Sequence, residues 1–70
     1  MGSHHISNNI KSLRFHHGEM TQAELAEKVG ATRQTINAIE AAKYSPSLEL
    51  AFKIADVFGV GLEDVFQYKS

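Results

Sequence analysis

Cysteine is absent from this 70-residue chain, and proline occurs once. Without cysteine there is neither a disulfide scaffold nor a thiolate metal site, so a reducing compartment suits the chain. No stretch approaches the roughly 18 apolar residues of a membrane span. Met1 to His5 are followed by no apolar run of the kind a signal peptide needs, and a cytoplasmic location is the expectation. Met1-Gly2-Ser3-His4-His5 reads as an expression-tag remnant. The expected organisation is therefore a tag remnant and disordered arm at 1–6, one folded domain at 7–67 and a tail at 68–70. An excess of positive charge is missing too. The formal net charge is −1, and a pI near 6.4 is not the basic footprint usual for nucleic-acid binders. Its distribution softens this: residues 1–43 carry +1 and residues 44–70 carry −2.

Size excludes more. A chain this short buries only about 60% of the surface that its unfolded form exposes. A core takes up most of it, leaving little room for an enclosed catalytic pocket; such domains usually present a surface to a partner. No nucleophile constellation, glycine-rich phosphate loop or convergent carboxylate pair is visible, so a non-enzyme without cofactor is expected. The neighbouring histidines His16 and His17 diverge by about 100° on a helix and lack further ligands. They read as a solvated face, and no metal site is expected.

What is present is helical punctuation. Asn8 or Asn9 can cap a first helix with apolar positions at Ile10, Leu13 and Phe15, and Gly18 suits the left-handed residue after it. Thr21 followed by Glu24 is a capping box, predicting a second helix from Gln22 to Val29 that Gly30 ends. Thr32 caps a third helix from Arg33 to Ala41. Ser45-Pro46-Ser47 breaks the chain, and Ser47 caps a fourth helix from Leu48 to Phe58, closed by Gly59. Its apolar arc includes Leu50, Ala51, Ile54, Val57 and Phe58, widened by Leu48, Phe52 and Ala55. A short fifth helix spans Leu62 to Phe66, and a short strand at Gln67 to Lys69 is the one extended segment the pattern allows. The fold class is all-α, a compact bundle of five helices.

The second and third helices carry the functional signal. Ala26 is small where two helices must approach, Gly30 supplies an unusual backbone angle, and Ile36 and Ile39 point inward. On a helical wheel that starts at Arg33, Ile36 and Ile39 fall together on one side. Asn37, Ala41 and Gln34 fall on the opposite side, with Ala38 flanking them. Glutamine and asparagine on such an outward flank can pair with adenine in the major groove, and arginine with guanine. Thr32 and Arg33 sit at the end that such helices push toward the bases, and Ala38 can touch a thymine methyl.

The run TQAELAEKVGATRQTINAIE, followed by KYSPSLELAFKIADVFGVGLEDVF, resembles the lambda-repressor-like helix-turn-helix family of Cro and repressor domains and xenobiotic-response-element-type regulators. The likeness extends over residues 8–66. It implies a DNA-binding domain of five helices acting as a homodimer on a two-fold operator. It also implies base reading by Thr32, Arg33, Gln34, Asn37 and Ala38, and phosphate contacts by Gln22, Thr35 and Lys43. Gln22 would brace the reading helix as well, and Arg14 and Glu40 match a structural ion pair. One departure stands out: where relatives read Glu-Asn-Gly-Lys, this chain has Glu40-Ala41-Ala42-Lys43. Either Ala42 adopts the left-handed conformation at about 1 kcal/mol or the helix runs on by a turn.

The apolar residues Val60, Leu62, Val65, Phe66 and Tyr68 close the core in part, and some are expected to be shared with a second copy. The leading expectation is a sequence-specific repressor of double-stranded DNA. An antitoxin or antirepressor-type interaction module that keeps the fold, with a toxin or repressor as its protein partner, is the alternative.

Overall fold

The computed structural model describes residues 6–68. Along it run β1 (Ile6–Asn8), α1 (Ile10–His16), α2 (Gln22–Val29), α3 (Arg33–Glu40), α4 (Leu48–Phe58), α5 (Leu62–Val65) and β2 (Phe66–Tyr68). Side-chain caps set the helix starts. Thr21 Oγ1 accepts from the Glu24 amide at 3.0 Å while Glu24 Oε1 accepts from the Thr21 amide at 2.8 Å, a closed capping box. Thr32 and Ser47 accept from the amides of Thr35 and Leu50, each at 3.1 Å. At α1 the two asparagines divide the work. Asn8 Oδ1 accepts from the Ile10 amide at 3.1 Å, whereas Asn9 sends its Nδ2 to the Asp64 carbonyl at 3.0 Å.

The end of α3 settles the alternative posed by Ala41-Ala42. Ala42 has φ 61°, in the left-handed region. Its amide donates to Ile39 O at 3.0 Å, and the Lys43 amide donates to Ala38 O at 2.9 Å. This pair of bonds is a Schellman ending, so the helix does not run on and Lys43 leaves it where a glycine would have released it. Gly30 ends α2 in the same way, with φ 73° and an Ala31 amide bonded to Ala26 O at 2.9 Å.

Six side chains are fully enclosed: Ile10, Leu25, Ile36, Ile39, Ile54 and Val65. Every helix supplies at least one of them, and Ala26, Val29, Ala55 and Phe58 complete the cluster. Truncating a fully enclosed isoleucine of this kind to alanine costs roughly 2–5 kcal/mol, so these contacts dominate a chain this small. On α4 the buried flank is Ala51, Ile54, Ala55 and Phe58. Leu48 and Phe52, expected to widen that flank inward, are 68% and 54% exposed; Phe15 of α1, also expected on an apolar face, is 63% exposed. The core is already filled by the residues on the opposite side of each helix.

The chain ends meet. β1 and β2 pair antiparallel, with Ile6 opposite Tyr68, Ser7 opposite Gln67 and Asn8 opposite Phe66. The strand expected at Gln67 to Lys69 thus begins one residue earlier, and Lys69 lies outside the described residues, as do Met1 to His5. Ile6 and Tyr68, expected in the arm and the tail, form the outer pair of this sheet, so the folded unit includes both. Three-residue strands are too short to display a period of two; they exist because each has the other as partner. Among the described residues no helix is long and apolar enough to cross a membrane.

The strained alanine yields a direct test. Ala42→Gly relieves the Cβ–carbonyl crowding and is expected to raise unfolding free energy by about 1 kcal/mol, reduced somewhat by the greater chain entropy of glycine. Urea unfolding with an unchanged m-value is the measurement, and a loss of stability contradicts it.

Candidate nucleic-acid interface

α3 is held as a two-sided rod. Ile36 and Ile39 are 0% and 2% exposed, anchoring it inward. Thr32, Arg33, Gln34 and Asn37 are exposed, and Thr35 and Ala38 half-buried. Small Ala26, 3% exposed, and the left-handed Gly30 let α2 and α3 approach through a three-residue turn. A Cβ at Gly30 would meet nothing within 4 Å, so the backbone angle, not space, demands glycine there. Thr32 Oγ1 also lies 3.0 Å from Thr35 Oγ1, which ties the Thr35 hydroxyl to the cap.

Beneath the exposed flank lies a polar network. Arg14 Nε donates to Glu40 Oε2 at 2.6 Å and its Nη2 to Oε1 at 3.1 Å, a two-pronged pair with side chains 14% and 9% exposed. Arg14 Nη1 donates to the Met20 carbonyl at 2.7 Å, so one guanidinium ties α1, the loop after it and α3 together. Gln22, the first residue of α2, donates from Nε2 to Glu40 Oε1 at 3.1 Å and to Asn37 Oδ1 at 3.2 Å. It braces the outward flank through its side-chain amide. With both Nε2 hydrogens so engaged, the donors left for a phosphate here are backbone amides of Gln22 and Ala23, which have no partner within the helix. Lys43 and Arg33 are exposed at the two ends of α3.

A further positioning contact is not legible in the sequence. Asn8 of β1 donates from Nδ2 to the carbonyls of Ile39 at 3.0 Å and Glu40 at 3.5 Å, capping the C-terminal end of α3. The sequence marks Asn8 as a candidate cap for α1, and nothing local to it announces a second partner 31 positions away.

Of the five residues expected to supply a shared apolar patch, Leu62, Phe66 and Tyr68 border one surface hollow, whereas Val65 does not reach it. Val65 is 0% exposed, so it lies wholly within the monomer and cannot contribute surface to a partner; its assignment to an interface is corrected. The reason is that α5 is one turn long and turns this residue onto α1, where the Asn9 amide bonds the Val65 carbonyl at 2.8 Å. Val60 is half-buried against the core. Leu62 and Phe66 are half-buried and Tyr68 is 73% exposed. Leu62 and Phe66 instead line a groove of about 350 Å³ with Ile6, Ser45, Pro46, Leu48 and Ala51. His16 and His17 donate from Nδ1 to the backbone carbonyls of Ser12 and Leu13, at 2.7 and 3.1 Å. Among the described residues no three His, Cys, Asp or Glu side chains converge on a metal position.

A short hairpin presenting one helix outward by its polar flank defines the helix-turn-helix class of DNA-binding proteins. A helix-turn-helix family model matches residues 10–65. An uncharacterized HTH-type transcriptional regulator of Methanocaldococcus jannaschii is 55% identical over 64 residues, covering 91% of this chain and 96% of that protein. The uncharacterized HTH-type transcriptional regulator YgzD of Bacillus subtilis is 49% identical over 61 residues, covering 87% and 91%. A crystal structure of a candidate DNA-binding protein from Bacteroides fragilis superposes with a TM-score of 0.75 at 27% identity, covering 89% of this chain and 98% of that one. The chain belongs to the Cro/C1-type helix-turn-helix family, whose members are DNA-binding transcriptional regulators.

The pair at the foot of α3 can be tested by stability. Glu40→Ala leaves the Arg14 guanidinium enclosed without its partner and is expected to cost roughly 3 kcal/mol or more, whereas the double replacement Arg14→Met with Glu40→Leu recovers part of that loss. Denaturant unfolding of the two variants decides it; a Glu40→Ala protein as stable as the parent refutes the assignment.

Proposed function

We propose that this chain is a sequence-specific repressor of double-stranded DNA, two copies of which bind a two-fold operator. The observation that carries the reading is the division of α3: isoleucines enclosed on one flank, and Arg33, Gln34 and Asn37 exposed together on the other. The helix lies in the major groove with its N-terminal turn foremost, so Thr32, Arg33 and Gln34 meet base edges first, with Asn37 and Ala38 one turn behind. Phosphates are held by the first-turn amides of α2, by Lys43 and by the Thr35 region, which sets register without reading sequence. Gln22 serves mainly as the brace between the two helices. A promoter covered in this way is closed to polymerase, and repression is the simplest outcome.

Dimerisation is supported by where the apolar groove lies. Ile6, Pro46 and Phe66 line it and also border the hollow beside Ile39 and Ala42, so it adjoins the C-terminal end of α3. The chain measures 33 × 22 × 20 Å. Two copies packed through a flank at that end must set their reading helices about one turn of B-DNA, about 34 Å, apart to bind one face of the duplex. The groove then removes Leu48 and its apolar neighbours from water, which a small domain needs.

Two experiments test this. In gel-shift titrations, Arg33→Ala or Gln34→Ala is expected to cost roughly 1–3 kcal/mol on the preferred duplex and to relax preference at one base pair. Lys43→Ala is expected to weaken all duplexes alike and to flatten the salt dependence. Equal losses on preferred and random DNA for Arg33→Ala contradict base reading, and no shift at any salt favours the protein-interaction alternative. In sedimentation, Leu48→Glu is expected to convert the dimer to a folded monomer, and an unaltered mass places the interface elsewhere.

A further inference from the structure

The hydrogen bonds beneath α3 have a direction, and the geometry points to Asn37 as a reader of guanine rather than of adenine. This inference rests on the proposed DNA reading and specifies one base within it. The direction begins at Arg14, whose guanidinium has donors only, and Glu40, whose carboxylate has acceptors only. Glu40 Oε1 lies 3.1 Å from one end of the Gln22 side-chain amide, and only the NH₂ end can face a carboxylate. That same nitrogen lies 3.2 Å from the Asn37 side chain, so the atom of Asn37 that faces it is the carbonyl oxygen. The orientation of both amides therefore follows from chemistry, from the Arg14–Glu40 pair outward.

Asn37 Oδ1 is turned toward Gln22, and its Nδ2 is turned away from it. Among the described residues no acceptor engages that nitrogen, and the residue is exposed. A bidentate pair with adenine needs the oxygen and the nitrogen side by side on the base edge, one accepting from N6 and one donating to N7. With the oxygen withdrawn toward α2, the group leading outward is a donor with two hydrogens. Guanine is the base that offers two acceptors, N7 and O6, in the major groove, and cytosine opposes the donor with its own N4 amine. Gln22 is thereby a specificity-determining residue that acts through Asn37, without touching the base.

The test is selection of bound duplexes from a random pool, with each variant checked for native unfolding behaviour. Asn37→Ala marks the base pair involved, as the one position whose preference collapses. The parent protein is expected to favour guanine there over adenine by roughly 10- to 100-fold. Gln22→Ala frees the Asn37 amide to turn, and guanine and adenine are expected to approach parity at that position, whatever overall affinity is lost with the brace. Asn37→Asp offers an oxygen outward and is expected to move the preference to cytosine. Adenine favoured by the parent, a guanine preference that survives Gln22→Ala, no move in Asn37→Asp, or no position affected by Asn37→Ala each overturns the inference. A parent protein that selects no duplex at all fails differently: it removes the DNA reading itself, and the guanine assignment with it.

Discussion

The pair between Arg14 and Glu40 is the constraint on which the functional surface depends. It joins α1 to α3 across a nearly enclosed seam, and its geometry is good enough to offset part of the desolvation it requires. An apolar pair could hold the same helices together. What it could not do is impose an orientation on Gln22 and, through Gln22, on Asn37. A charged contact in the interior thus reaches the surface as the direction of a single amide. Packing of Ile36 and Ile39 fixes where α3 lies, and the polar network decides which atoms it presents.

The second constraint is closure of the chain ends. β1 and β2 are marginal alone, yet their pairing places Asn8 where it can cap the last carbonyls of α3. The same sheet contributes Ile6 and Phe66 to the apolar groove. The C-terminal end of α3 and the apolar groove are therefore attached to one small element.

Much of this is legible from residue order. Thr21 with Glu24, Ser47, Gly30 and Gly59 mark the bounds of α2 and α4 to the residue, and Thr32 the start of α3, because capping acts locally, through side chains and backbone angles within a few positions. The inward flank of α3 follows from helical periodicity. The first strand, the second role of Asn8 and the burial of Val65 are hidden for one reason: each depends on partners tens of residues distant. Asn8 has the composition of a helix cap, and Val65 that of a surface patch, until the fold brings Ile39 and Asn9 beside them. Leu48 and Phe52 mislead in the opposite sense, since hydrophobicity alone does not say which side of α4 the core will occupy.

Residue order by itself determined where the helices start and stop, which flank of α3 is apolar, and that Ala42 stands at the junction after it. These follow from steric and hydrogen-bonding preferences within a few residues. Only the tertiary structure decided that Ala42 takes the left-handed turn, that Val65 is interior, and that the Asn37 oxygen faces Gln22. The last two depend on atoms from separate segments, where a carboxylate must find donors and a core closes over a side chain; the first is a choice between two local helix endings that residue order left open.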